Sequence, residues 1–574
     1  MPGPTGQPTP ETAINSVSSN KADSFPPLWL VWLAAVVFIF AGLGGPGILN
    51  NNEGLYAEIP REMLASHDWR FWIIPHLNGL PYMEKPPLLY WLTAASFALF
   101  GISEWSARLV PALSALACVG TLLWFGRAVG RPRAGRLGAL MFISGLGVAL
   151  MSRLLMFDML LTALVTAAFC CSYRYLIEGR PALLRWAMAW LALAILAKGL
   201  LGVLLFPMVM LVFLASIHGL GQRFWRAAAS MLRPDALLVF FVIAAPWHIA
   251  ASLTEPIFAW FYFINEHVLR FLGRREPHDY YSGPWWYYLP RMMLYLFPWS
   301  LFLFGLLARQ QPEAAASSAT LRRFLLLDWL LPLLFFSVSR AKANYYLVAV
   351  MPFAAMHLAL ALENRGLERP SLRSWPGYAV AILGALLCII ASLRHDDPHS
   401  PVQFLHLSQK SLLIAVFAAI AVAGLSCALL ARHTRAGLGA YLALPAALGV
   451  FAYFLLMAMQ PQVTAKDTAL WLEQEARGRE IYLYRNFEEI SSLPFYLKKP
   501  LPIVDARSND LYWGNRLKAN RIMLSDAQFG QALERGAKIA IVVMDSQLAD
   551  FRARAWASGL REVRRSGQLT VFMN

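Results

Sequence analysis

Residues 51–63 read NNEGLYAEIPREM and residues 81–91 read PYMEKPPLLYW. Together they place Glu53, Glu58, Arg61, Glu62, Glu84 and Lys85 directly after the first strongly apolar run of a chain that is only 15% charged. Charge gathered beside a membrane face is where chemistry is to be sought. Tyr56, Ile59 and Met63 recur at helical spacing, with Glu58, Arg61 and Glu62 on the opposite side. That pattern predicts a short amphipathic helix lying in the interface, capped at its start by Asn51 or Asn52.

The rest of the chain explains why a membrane is expected beside this stretch. With 58% hydrophobic residues and 20 Trp, 20 Tyr and 35 Phe in 574 residues, the composition excludes an ordinary soluble globule. Residues 1–25 are polar and rich in Pro, Ser, Thr and Asn, which predicts a disordered tail. Apolar runs near 27–46, 105–126, 137–152, 157–176, 186–197, 200–217, 236–251, 289–308, 324–338, 345–362, 375–393, 410–431 and 438–459 predict about thirteen transmembrane helices. The run at 186–197 is the shortest. The first run ends in GGPG without a small-residue cleavage site and is read as a retained span. All five cysteines lie in apolar runs and imply no disulfide framework.

Arginines set the orientation. Arg127, Arg131, Arg133 and Arg136 share one loop, and the alternate loops carry Arg174, Arg180 and Arg185, then Arg223, Arg226 and Arg233, then Arg322 and Arg323, then Arg373, then Arg432 and Arg435, with Arg309, Arg365 and Arg369 among them. By the positive-inside rule this face is cytoplasmic, so residues 51–63 and everything after about 461 face outward. The net charge of +16 is accounted for by this bias and by contact with anionic lipid, and is no nucleic-acid footprint. The expected organisation is a tail (1–25), a membrane domain (26–460) and an outer α/β domain (461–574). In the last, strands at 480–485, 501–506, 537–544 and 569–574 alternate with helices at 525–536 and 546–557. The fold class is therefore mainly α and polytopic, with a small C-terminal α/β domain.

Outward segments carry the candidate site. Lys85, Arg270 and Lys342, with Tyr345 one helical turn beyond Lys342, form a set of cations able to enclose a phosphate; the plainer reading is that each snorkels to lipid headgroups. Glu84, Glu266, His267 and His278 supply carboxylate and imidazole, and Glu84 with His267 is the candidate pair for a zinc-like divalent ion. Their spacing matches no metal signature, and a hydrogen-bonded histidine among interfacial aromatics is the competing reading. Tyr280, Tyr281, Trp285, Trp286, Tyr287 and Tyr288 read as an interfacial belt or a sugar-stacking surface. Asp158 heads a span and either caps it, pairs with Arg153 or serves the reaction. Lys198, between two short spans, is a turn residue or a headgroup contact.

Residues 51–63 resemble the first outer loop of the polyprenyl-phosphate-dependent membrane glycosyltransferases with the C-type fold. MEKPPLLYW, SRLLMFDMLLT, LAKGLLG and SVSRAKANYY are similar to further segments of that group, in the same order. The branch most resembled is that of the lipid A aminoarabinose transferases, with bacterial protein O-mannosyltransferases as cousins. The resemblance implies transfer of 4-amino-4-deoxy-L-arabinose from an undecaprenyl phosphate carrier to lipid A phosphates. The reaction would take place at the periplasmic face of the bacterial inner membrane, by a monomer needing no cofactor, with resistance to cationic peptides as the consequence. It further implies catalytic roles for Asp158 and Glu53, and carrier-phosphate contacts from Lys85, Arg270, Lys342 and Tyr345. Substrate contacts would come from Arg61, Tyr56, Tyr82 and Lys198. One position departs from the pattern: the leading acidic pair is Asn52–Glu53, so no base is available at Asn52. A phosphate acceptor is already an anion and needs none, whereas a serine or threonine hydroxyl does. The rival class, a lipid flippase, would place its charges near the bilayer midplane and in internal repeats, and neither is visible.

Overall fold

Among the residues described by the computed structural model (26–278, 282–303, 316–364, 370–393, 409–518 and 522–574), nine helices are long and apolar enough to cross a bilayer. The tail at 1–25, Arg309, Arg365, Arg369, Tyr280 and Tyr281 lie outside the described residues. The short run expected at 186–197 is part of an 18-residue helix, Pro181–Lys198, begun by proline at its first turn, where the missing N–H leaves nothing unpaired. The run expected at 137–152 is two helices, Pro132–Ser144 and Leu146–Met151, broken at Gly145. One apolar helix escaped the sequence reading: Leu88–Phe100, only 13 residues long and below the length of a normal span. Between helices Glu104–Ala128 and Pro132–Ser144 the backbones nearly touch, since a Cβ on Gly126 would lie 2.6 Å from the Cα of Gly135. Small residues permit this approach where lipid supplies no hydrophobic drive for association.

The C-terminal domain is built on a six-stranded sheet. After a small hairpin in the membrane domain, β1 (His76–Leu77) and β2 (Leu80–Pro81), its strands are β3 (Glu480–Tyr484), β4 (Ile503–Val504), β5 (Met523–Leu524), β6 (Ile539–Met544), β7 (Arg561–Ser566) and β8 (Leu569–Met573). Their order is β5-β4-β3-β6-β8-β7, with β5, β4, β3 and β6 parallel and β8 and β7 antiparallel. The four expected strands are present. β5 was too short to read, and β7, with the sequence REVRRS, too charged. Loops 485–491 and 505–511 leave the carboxyl end of adjacent parallel strands and run to the membrane domain.

That docking changes the reading of residues 51–63. The helix Asn52–Ala65 forms, but it does not lie in the interface: every residue from Glu53 to Met63 is buried. The C-terminal domain covers its polar face. Asn51, at a positive φ of 64°, donates its N–H to Glu488 O at 2.8 Å, and Ser491 Oγ donates to Asn51 O at 2.9 Å. The Asn51 side chain does not cap the helix. A Cβ on Gly54 would stand 2.7 Å from the Ser491 carbonyl carbon and from Ser492 N, so only glycine admits this contact. Asn78 exchanges two bonds with Leu501, and Lys466 Nζ meets Glu104 Oε1 at 2.6 Å. The apolar core runs unbroken from the spans into Leu483, Leu493 and Ile503.

Candidate active site

Asp158 stands in the first turn of helix Phe157–Glu178, and Lys198 is the last residue of the next helix, Pro181–Lys198. Because the two helices form an antiparallel hairpin, an acidic start meets a basic end, each favoured by its helix dipole. Asp158 and Lys198 form a buried ion pair through Oδ1 and Nζ. The Lys198 ammonium lies over the Tyr345 and Tyr346 rings, 5.2 and 4.8 Å from their centroids. Arg153, one of the partners open to Asp158, instead donates twice to Phe38 O (2.9 and 2.6 Å), closing the end of helix Leu28–Phe40.

Beside this pair the outer segments gather three cations around two carboxylates. Arg275 donates to Glu84 Oε1 at 2.6 Å and pairs with Glu266; Arg270 Nη1 donates to Glu266 Oε2 at 3.1 Å. Lys85 Nζ lies 3.8 Å from both carboxylates. Glu266 sits on Trp260–Leu269, a widened π-helix of the kind that recurs at functional sites. Burial would raise its carboxyl, but Arg275, Arg270 and Lys85 pull it down to about 2. His267, next to Glu266, accepts from Leu200 N, two residues beyond Lys198, and this sets the two groups side by side. Arg275 was not singled out from sequence; its signal is the Arg274–Arg275 doublet in an outward segment.

Lys342 is placed differently from expectation. Its ammonium donates to Phe336 O (3.3 Å), Ser337 O (2.7 Å) and Ser339 O (2.7 Å), the last carbonyls of helix Ala316–Val338 and those just beyond. It is a helix cap, and Tyr345 reaches the site without it.

The Glu84 and His267 pair does not fit a metal. His267 Nδ1 donates to Tyr262 O at 2.6 Å, and Nε2 accepts from Leu200 N at 3.0 Å, so both ring nitrogens are engaged. Burial lowers its pKa and keeps the ring neutral. Glu84 is tied to Arg275, and among the described residues no three His, Cys, Asp or Glu side chains cluster as ligands.

The opening stretch contributes structure first. Glu53 accepts from Arg108 Nε and Nη2 (2.8 Å each), from Leu49 N (2.9 Å) and from Leu155 N (3.1 Å). Arg108 also donates to the carbonyls of Leu43, Pro46 and Gly47. This hidden arginine, inside an apolar helix, was missed from sequence. Arg61 is likewise engaged, by Glu58 (2.7 and 2.6 Å) and by Lys498 O (3.0 Å). Burial and the adjacent Glu58 charge raise the Glu62 carboxyl well above its usual range, and it accepts from Gly79 N at 3.2 and 3.0 Å. Tyr56 packs edge-on against Phe157, beside Asp158, with ring centroids 4.8 Å apart. Tyr82 is buried within the field of Glu84.

Residues 84–249 match the family model described as dolichyl-phosphate-mannose-protein mannosyltransferase. The chain is 28% identical to the undecaprenyl phosphate-alpha-4-amino-4-deoxy-L-arabinose arabinosyl transferase of Pseudomonas paraeruginosa, over 95% of this chain and 92% of the relative. It is 31% identical to that of Pseudomonas aeruginosa, over 69% of this chain and 70% of the relative. Among solved structures it resembles ArnT from Cupriavidus metallidurans bound to undecaprenyl phosphate, with a TM-score of 0.76 and 25% identity over 95% of this chain and 97% of that one. The apo form of the same protein gives 0.75 at 24% identity, covering 98% of each chain. The chain belongs to the family of undecaprenyl phosphate-alpha-4-amino-4-deoxy-L-arabinose arabinosyl transferases.

Proposed function

We propose that this protein transfers 4-amino-4-deoxy-L-arabinose from undecaprenyl phosphate to a phosphate group of lipid A, at the periplasmic face of the bacterial inner membrane. The observation that carries the reading is the gathering of Lys85, Arg270 and Arg275 beside the Asp158–Lys198 pair at the membrane edge. A phosphate oxygen of the acceptor attacks C1 of the sugar. The bond from C1 to the carrier oxygen breaks, and its electron pair leaves with undecaprenyl phosphate. The nucleophile is an anion at neutral pH, so no proton has to be removed, and Asn52 is no handicap. Lys85 and Arg270 stabilise the charge that grows on the departing phosphate, an effect that strengthens as water leaves the site. Lys198, steadied by Asp158 and the two tyrosine rings, meets the incoming acceptor phosphate, and the fixed geometry supplies positioning.

Mass spectrometry of lipid A from cells with the gene, without it, and with Lys85→Ala tests this. Aminoarabinose on lipid A should be present only with the intact protein. Unchanged lipid A, with loss of a sugar from protein hydroxyls instead, would replace this reading by protein O-glycosylation.

A further inference from the structure

His267 follows Glu266, the carboxylate that gathers Lys85, Arg270 and Arg275, on the π-helix Trp260–Leu269. Both of its ring nitrogens bond backbone. Leu200 N–H points at Nε2 from 3.0 Å, so Nε2 is the acceptor, and Nδ1 carries the proton that it donates to Tyr262 O at 2.6 Å. A metal would need the Nε2 lone pair that Leu200 N–H already occupies.

Leu200 belongs to the two-residue turn, Gly199 and Leu200, that joins helix Pro181–Lys198 to helix Leu201–His218. Gly199 N–H returns to Ile195 O at 2.9 Å and closes the first helix, which leaves Leu200 N–H for a partner from outside the turn. The His267 ring is seated directly on this turn. At φ 84° and ψ −158° the Gly199 backbone is open to glycine alone, and a Cβ there would stand 2.5 Å from His267 Nε2 and 3.0 Å from Tyr262 OH. Tyr262 is wholly buried and stacked on Phe258, with ring centroids 5.1 Å apart, so the carbonyl that orients the ring sits on a packed element. Lys198 is the residue before Gly199. Its ammonium has to meet Asp158 and the Tyr345 and Tyr346 rings, and on a flexible four-carbon stem the head depends on the backbone that carries it.

We propose that His267 is a positioning residue: it holds the turn after Lys198 and thereby sets where the lysine ammonium stands relative to the cations gathered on Glu266. The inference rests on the transfer reading above, in which Lys198 meets the acceptor phosphate. His267 acts through Lys198 alone.

The test uses the full chain in proteoliposomes, with undecaprenyl phosphate carrying 4-amino-4-deoxy-L-arabinose as donor and lipid A as acceptor. Binding of each is titrated separately, and kcat and the acceptor KM are read from transfer. His267→Ala leaves Leu200 N–H without its acceptor and should raise the acceptor KM about tenfold, with donor binding unchanged. Glutamine places an acceptor where Nε2 stands, so His267→Gln should recover most of that loss, and the shorter His267→Asn should not. Lys198→Ala combined with His267→Ala should be no worse than Lys198→Ala alone, because a residue that acts through the lysine has nothing to act on once the lysine is gone. If His267→Ala is too unstable to reconstitute, the same cycle is run with His267→Asn. Additive losses, or a His267→Gln variant as poor as His267→Ala, overturn the inference and leave the transfer reading standing. Zinc bound by wild type and lost in His267→Gln overturns it too, by making the ring a ligand. A shared, non-additive defect that falls on the donor keeps the inference and removes the acceptor role of Lys198. If lipid A is neither bound nor modified, the transfer reading fails and the cycle is read on donor binding, where additive or absent effects again overturn the inference.

Discussion

Asp158 and Lys198 neutralise each other in a place neither reaches water freely, so removing one leaves the other uncompensated. Breaking such a pair typically costs about 3 to 5 kcal/mol. Asp158→Asn should therefore lower transfer per folded protein by about 100-fold or more, whereas Asn52→Asp should change it little; wild-type rates for Asp158→Asn would reduce the aspartate to a helix cap. Glu266 makes a pH prediction. Its carboxyl is held at about 2 against an ordinary 4.5, so its stabilisation is complete above about 4.5 and is lost as pH falls toward 2. The thermal midpoint should drop along that acid limb, and Glu266→Gln should flatten the drop; the same limb in both proteins would locate the acid sensitivity elsewhere. At this scale the sequence was legible where charge was rare. Lys85, Asp158, Lys198 and Arg270 stand out against apolar surroundings. Arg108 was hidden inside a span, and the hold of Lys342 on backbone carbonyls leaves no trace in side-chain patterns.

Among the elements, helix Ala316–Val338 ends on Lys342 rather than on a glycine cap. Lys342→Ala should lower stability by about 1.5 to 3 kcal/mol yet leave the donor KM near wild type, whereas Lys85→Ala or Arg270→Ala should raise that KM about tenfold or more. Donor titrations set beside thermal melts separate the two behaviours, and a donor defect in Lys342→Ala without a melting change would return the lysine to the carrier site. Helix Asn52–Ala65 was legible as a helix, but not as a buried one. Periodicity reports which face is polar and is blind to what later covers it. Here the cover is loop 485–491, seated through Gly54, so Gly54→Val should loosen the C-terminal domain, seen as faster proteolysis near residue 463 together with lost transfer. Proteolysis at the wild-type rate would mean that the contact adjusts.

For the molecule as a whole, arginine asymmetry predicts that an export-dependent reporter is active when fused after Gln462 and inactive after Arg133 or Arg435; the reverse pattern would put the site on the cytoplasmic face. The membrane class and the α/β character of the C-terminal domain were readable from hydropathy and alternation, but its docking on the first outer loop was not, because the contacts that seat it are made largely to backbone groups. The docking also fixes an order of events during synthesis. Arg61 must wait 437 residues for the carbonyl of Lys498, roughly 20 to 90 s at about 5 to 20 residues per second. Through that interval helix Asn52–Ala65 lacks the cover that residues 485–498 later give it. The contacts that bury residues 53–63 are thus complete only once the last-made domain has docked onto the first-made loop.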